Sequence, residues 1–327
     1  MTSSFDMTRR TLLAAAPAAT AVPFVAALPS GAAAAMNPGS VSYRTVTVDG
    51  IDIFYREAGP KGAPAVLLLH GFPSSSHMFR DLIPQLATRF RVIAPDYPGF
   101  GFSASPSTEV FPYTFATIAD LVDKFTDTVG LGSYTVFMQD YGGPVGFRLA
   151  MKNPDRVRGF IVQNAVMSVD GWQPDVVAQL SPFWKERTAE TEKPLRAMLT
   201  PEGTRFQYEH GSTRPERLSP DAWTHDIAGL SRPGNADLQV LMLWNYQDNV
   251  AEYPKWQALL KERQPPILIT WGKSDPFFTE KGLAYFSELV PTAEAHVYEA
   301  GHFALETHGE EIADLSLAFL DRLAKAN

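Results

Sequence analysis

The chain has 327 residues, with 28 Lys and Arg against 36 Asp and Glu for a net charge of -8, 45% hydrophobic residues and no cysteine. Without cysteine there is no disulfide framework, thiol nucleophile, iron-sulfur cluster or Cys-ligated zinc, so any chemistry rests on oxygen and imidazole groups. An acidic balance with scattered Lys and Arg excludes the basic face that a nucleic-acid binder needs. A 45% apolar share with 12% aromatics is enough to bury a sizeable core, which excludes disorder.

Residues 1–35 read as an export signal. Arg9 and Arg10 stand together, an Ala-rich apolar stretch follows over residues 11–28, and small residues at 31–35 offer a cleavage site; the pair of arginines resembles a twin-arginine leader. Pro17 and Pro23 argue against a lipid-spanning helix. The expectation is a periplasmic or secreted protein with no membrane insertion after cleavage, or a cytoplasmic one if Met36 is the true start.

Beyond residue 42 strand and helix signals alternate, the pattern of an α/β fold. Residues 42–48 and 51–57 alternate apolar and polar side chains around Asp49-Gly50 and predict an antiparallel hairpin at a sheet edge. Residues 65–69 (AVLLL), 92–95, 135–138, 160–162 and 267–271 are continuously apolar, as parallel strands covered on both faces are. Phe115, Ile118, Val122, Phe125 and Val129 form one helical stripe, and Ile312, Leu315, Phe319 and Leu323 another. Between about residues 166 and 264 strand signals vanish, Trp and Pro become frequent and helical patterns dominate. This predicts a helical lid inserted into a core of residues 36–165 and 265–327.

The chemistry-bearing residues fall at strand ends. Residues 135–138 run into Gln139-Asp140-Tyr141-Gly142-Gly143 and then a helical pattern, which is how a nucleophile on a tight strand-to-helix corner is written; the two glycines let backbones approach, while Met138 is larger than such a corner usually has. Asp is equally an ordinary helix N-cap. His70-Gly71-Phe72-Pro73 ends the strand at 65–69, where backbone N–H groups of Phe72 and Tyr141 would form an oxyanion hole. Asp275 follows the strand at 267–271, and His302 follows the strand-like residues 295–298.

With HGFP, DYPGFGFS, QDYGGP, GKSD and GHF in this order, the chain resembles the α/β-hydrolase fold family from Val41 to Ala324. The resemblance implies a mostly parallel eight-stranded sheet with helices on both faces. No GxSxG is present and Asp140 stands where the serine would, which points to the branch with an Asp nucleophile. An Asp is an anion at neutral pH and can attack a saturated carbon directly. The implied sequence is an alkyl ester on Asp140, then hydrolysis by a water that His302 deprotonates while Asp275 orients the imidazole.

Two members of that branch compete. Haloalkane dehalogenases are similar at QDYGGP and HGFPSSSHMF, but mostly carry Trp after the nucleophile and Asn after HisGly, where this chain has Tyr141 and Phe72; Trp184 and the Tyr141 hydroxyl are the candidate halide donors. Epoxide hydrolases are similar at HGFP and at LWNYQDN, which makes Tyr246 the candidate proton donor to an opening epoxide, with Tyr141 or Tyr208 standing in for a second tyrosine where Phe183 and Trp184 lie. The epoxide reading is the first expectation, dehalogenation the second, and a catalytically silent small-molecule binder the alternative from another class. His70 is expected to shape its loop. The other histidines (His77, His210, His225, His296, His308) show no metal-binding pattern, and no glycine-rich cradle for a nucleotide is present, so neither metal nor cofactor is expected. The expected partner is a small-molecule substrate.

Overall fold

The computed structural model describes residues 39–325, so the expected export signal and Met36 lie outside the described residues. Strand β1 (Ser42–Val48) turns through Asp49 and Gly50, both at positive φ (49° and 78°), into β2 (Ile51–Ala58), the left-handed pair that matches hairpin twist. There follow β3 (Ala65–Leu69), α1 (Leu82–Leu86), β4 (Arg91–Pro95), α2 (Phe115–Thr128), β5 (Tyr134–Gln139), α3 (Gly142–Lys152) and β6 (Val157–Gln163). After a helical segment come β7 (Ile267–Gly272), α9 (Glu280–Leu289), β8 (Glu294–Tyr298) and α10 (Ala304–Lys325). The eight strands lie in the order β1-β2-β4-β3-β5-β6-β7-β8. The β1–β2 and β2–β4 pairs are antiparallel, and every pair from β4 to β8 is parallel.

The apolar strands are explained by helices on both faces. Leu67 and Leu69 join one core with Ile118, Val122 and Val145 of α2 and α3; Val66 and Leu68 join the other with Ile83 and Leu86 of α1 and Ile312 and Leu320 of α10. The α2 stripe is buried as its spacing requires, and its first turn is closed by Thr114 Oγ1, which accepts from Thr117 N–H at 3.0 Å. Helix α10 starts earlier than its stripe suggested. A kink at His308 (φ −127°, ψ 24°) shifts the phase, so the stripe marks only its second half.

The segment between β6 and β7 is helical: α4 (Pro174–Lys185), α5 (Ala189–Ala197), α6 (Pro201–Glu209), α7 (Pro220–Leu230) and α8 (Asn235–Arg263). Thr188, Thr200 and Ser219 cap α5, α6 and α7, and Pro opens α4, α6 and α7, the position where its missing N–H costs nothing. Contacts with both faces of the core fix this segment, among them two from α8. Asn245 Oδ1 accepts from Phe115 N–H at 2.8 Å, and Trp256 stacks on Phe147 at 5.3 Å between ring centroids. Among the described residues no helix is long and apolar enough to cross a membrane.

A largely buried ion pair ties the loop after β3 to α10. Arg80 donates Nη1–H and Nη2–H to the two Glu306 carboxylate oxygens at 2.9 and 2.7 Å. Burial pushes the Glu306 carboxyl up, and Arg80 opposes it. Replacing Arg80 by Met strands a buried carboxylate, so urea unfolding of Arg80→Met should show a loss of about 3–5 kcal/mol. A loss below about 1 kcal/mol would mean that solvent reaches Glu306 far better than its burial implies.

Candidate active site

The sheet order reverses around β3: β4 lies on one side and β5 on the other, and the crevice at their carboxyl ends is where open α/β sheets place ligands. Two corners meet there, His70-Gly71-Phe72 after β3 and Asp140-Tyr141 after β5. Asp140 has φ 48°, a left-handed conformation that a side chain rarely adopts. It is held by Asp140 N–H donating to Asn164 O at 3.1 Å and by Asp140 O accepting from Gly143 N–H at 2.9 Å. A Cβ at Gly142 would stand 2.1 Å from Leu69 O, so only glycine lets α3 begin this close to β3. The bulk of Met138 is absorbed across the helix. Its Sδ lies 2.9 Å from where a Cβ at Gly146 would stand, so a small residue on α3 makes the room that a small residue on β5 would otherwise make.

The corner aims the Asp140 carboxylate at the two backbone groups singled out for an oxyanion hole. Phe72 N–H donates to Asp140 Oδ1 at 2.7 Å, and Tyr141 N–H also favours the ionised carboxylate. Opposite stands His302, whose Nδ1 lies 2.8 Å from Asp275 Oδ2. Asp275 accepts in addition from Asn164 Nδ2 (2.7 Å), Phe277 N–H (2.7 Å) and Phe278 N–H (3.3 Å), so it is an acceptor on every side and His302 Nδ1 carries the proton. Asn164 was invisible as a site residue: at positive φ it braces Asp275 with its amide, accepts from Gly272 N–H at 2.9 Å and takes the Asp140 N–H. No sequence motif marks such a clamp. His70 is neutral, pushed down to about 3 by burial, and shapes its loop by donating to Gly71 O and accepting from Tyr97 N–H, each at 3.1 Å.

Asp140, Asp275, His302, Tyr141, Phe72 and Tyr246 all line one cavity of about 790 Å³. Most of its wall is apolar, and neither Lys nor Arg contributes to it. Two expectations are corrected. Trp184 is not in the wall; its indole N–H donates to Leu243 O at 2.9 Å, inside the helical segment, and it flanks Tyr246 only as a stacked ring. Tyr208 is also elsewhere, donating to Asp226 at 2.5 Å and stacked on Phe303, because α6 faces the core loop there. Phe183 is buried among segment side chains against Trp244. A second indole, Trp172, lines the cavity, but its N–H donates to Tyr253 Oη at 3.2 Å. Tyr141 and Tyr246 remain as phenols facing the cavity, 5.9 Å apart between ring centroids, and burial holds both hydroxyls well above their ordinary value and so protonated.

Burial pushes the Asp140 carboxyl up to about 6, against the pull of His302 and of the Phe72 and Tyr141 N–H groups. Its folded-state value exceeds the unfolded one, near ~3.9, so ionisation costs stability. That cost is absent below about pH 4 and complete above about pH 6. Asp140→Asn should therefore be more stable than the parent at pH 7.5, by on the order of 2 kcal/mol, with the gain fading toward pH 4. Thermal melts across that range check it, and a variant destabilised at pH 7.5 would refute the reading of a strained, desolvated carboxylate.

A family model described as alpha/beta hydrolase fold matches residues 64–309. The chain is 38% identical over 269 residues to an uncharacterized hydrolase, YNR064C, of Saccharomyces cerevisiae, covering 81% of this chain and 92% of that one. It is 31% identical over 271 residues to haloalkane dehalogenase 2 of Mycobacterium bovis, covering 76% and 85%. Among solved structures it superposes on haloalkane dehalogenase DbeA of Bradyrhizobium elkani with a TM-score of 0.74 at 26% identity, covering 88% and 100%. The chain belongs to the α/β-hydrolase fold family and is a hydrolase, with haloalkane dehalogenases among its relatives.

Proposed function

We propose that the protein hydrolyses epoxides through an ester on Asp140, with residues 166–264 acting as a cap over the site. The observation that carries this reading is the set of donors facing the nucleophile: two protonated phenols, Tyr141 and Tyr246, and no free indole N–H. A halide leaves as a weakly basic ion and needs only a hydrogen bond. An epoxide oxygen leaves as a strongly basic alkoxide and needs a proton, which a phenol can give and an indole cannot.

Asp140 Oδ2 attacks an epoxide carbon, the C–O bond breaks, and the oxygen takes a proton from Tyr246, with Tyr141 donating a hydrogen bond. Asp140 Oδ1, already against Phe72 N–H, becomes the ester carbonyl oxygen. Water then gives a proton to His302 and attacks Cγ; negative charge builds on Oδ1, facing the Phe72 and Tyr141 N–H groups. Collapse expels the diol oxygen, which takes the His302 proton, and leaves Asp140 as a carboxylic acid whose remaining proton returns to Tyr246, restoring both the carboxylate and the phenol. The sum is epoxide plus water giving diol. A mostly apolar wall without Lys or Arg favours uncharged alkyl or aryl epoxides over carboxylate-bearing ones.

Dehalogenation is the second reading, favoured by the relative at 31% identity. A panel of neutral epoxides and haloalkanes decides: diol without halide supports the first, halide the second. In the first case Asp140→Asn is inactive, Tyr246→Phe loses on the order of 10²-fold in kcat, and His302→Gln accumulates substrate mass on the peptide carrying Asp140. A His302→Gln enzyme that stays unmodified with every substrate the parent turns over would refute the ester. Export of the folded enzyme is also proposed, on the strength of Arg9 and Arg10. Fractionation should find the parent outside the cytoplasm and an Arg9→Lys, Arg10→Lys variant retained; equal distribution would refute it.

A further inference from the structure

The side chain just before the nucleophile has no part in the steps above, yet it touches the base. Gln139, the last residue of β5, is fully buried and brings its Nε2 to 2.7 Å from His302 Nε2. Asp275 can only accept from His302 Nδ1, so in the neutral ring Nε2 is a bare lone pair and the Gln139 amide donates to it. A protonated ring would carry an N–H on both nitrogens and the Gln139 N–H would meet another N–H. With the amide N–H turned toward the ring, as here, the contact fits the neutral imidazole. The other end of the amide, Oε1, has no partner and lies against Gly71, where a Cβ would stand 2.3 Å from it.

The titratable groups facing His302 are Asp275 from the loop after β7 and Asp140 from the corner after β5; the rings of Phe277, Phe278 and Phe303 close the remaining sides. Burial opposes the imidazolium, but the charge and hydrogen bond of Asp275 and the charge of Asp140 outweigh it and hold His302 above its ordinary value. An Asp140–imidazolium pair would be unproductive twice over, since it blunts the nucleophile and uses up the base. We propose that Gln139 is a positioning residue that holds His302 as the neutral, Nδ1-protonated base, its Nε2 lone pair covered by the amide in the free enzyme and in the ester until the attacking water displaces it. This rests on the ester mechanism proposed above. It assigns to Gln139 a role in the second half-reaction, where the base is used.

Single-turnover decay of the Asp140 adduct, followed by rapid quench and mass spectrometry over pH 5–9, tests it in the parent, Gln139→Leu and Gln139→Glu. Leu removes the donor and Glu replaces it by an acceptor that prefers imidazolium. Both should move the acid limb of the decay upward, Glu by at least about one pH unit, which is about a tenfold slower decay on the acid side. A uniform loss of rate with the limb unmoved would be a packing effect and would overturn the proposal. Nitrogen-15 NMR on the unmodified protein reads the same contact without turnover or substitution. The Gln139 side-chain amide should shift through the His302 titration, and an amide indifferent to it would overturn the proposal even where a variant fails to fold. Absence of any adduct in His302→Gln would instead sink the ester mechanism, while the NMR outcome would still decide whether Gln139 controls His302.

Discussion

The molecule is organised around one costly arrangement: a buried carboxylate on a left-handed backbone corner. A non-glycine residue at φ 48° and a desolvated anion each raise the energy of the folded state. They persist because neighbours over-determine them. The Asp140 N–H goes to Asn164 O, its Oδ1 takes the Phe72 N–H, and α3 starts on two glycines against the end of β3. The same requirement fixes the sheet order, since only adjacent strands β3 and β5 can bring the two N–H donors to one oxygen. It fixes Asn164 too, which joins the corner after β5 to the Asp275 loop after β7 and so sets the distance between nucleophile and base.

What such a shell does to a substrate depends on the donors set over it. The relatives include haloalkane dehalogenases and a cis-3-alkyl-4-alkyloxetan-2-one decarboxylase, and Tyr141 and Phe72 stand where the resemblance to dehalogenases implies Trp and Asn. The helical segment completes the difference by engaging the two indoles that pack on Tyr246, Trp184 on Leu243 O and Trp172 on Tyr253. Tyr253 Oη in turn stands 3.5 Å from Tyr246 Oη, which places a hydrogen-bonding partner behind the phenol that faces Asp140. On the proposed epoxide reading, the change in donors favours proton delivery over halide solvation, with the fold and the carboxylate unchanged.

Much of this was legible in the sequence, for a physical reason. Strands covered on both faces must be continuously apolar, so AVLLL and its counterparts announced the sheet, and a corner this tight must be followed by glycine, so QDYGG announced its position. Residues whose roles come from long-range packing were not legible. Met138 read as a departure from the pattern because its compensation, Gly146, sits on a different element. Trp184 read as a candidate donor because nothing in a sequence tells which backbone carbonyl an indole will meet when helices cross. Asn164 and Gln139 carry no spacing signal; each acts on a residue more than 100 positions away.

The central claim is that the oxygen delivered to product comes from Asp140 and not directly from water. A single turnover of a neutral epoxide by excess enzyme in H₂¹⁸O decides it. The account predicts unlabelled diol and ¹⁸O in the Asp140 carboxylate, read on the isolated peptide. Labelled diol from the first turnover, with Asp140 unlabelled, would mean that water attacks the substrate directly and would contradict the account.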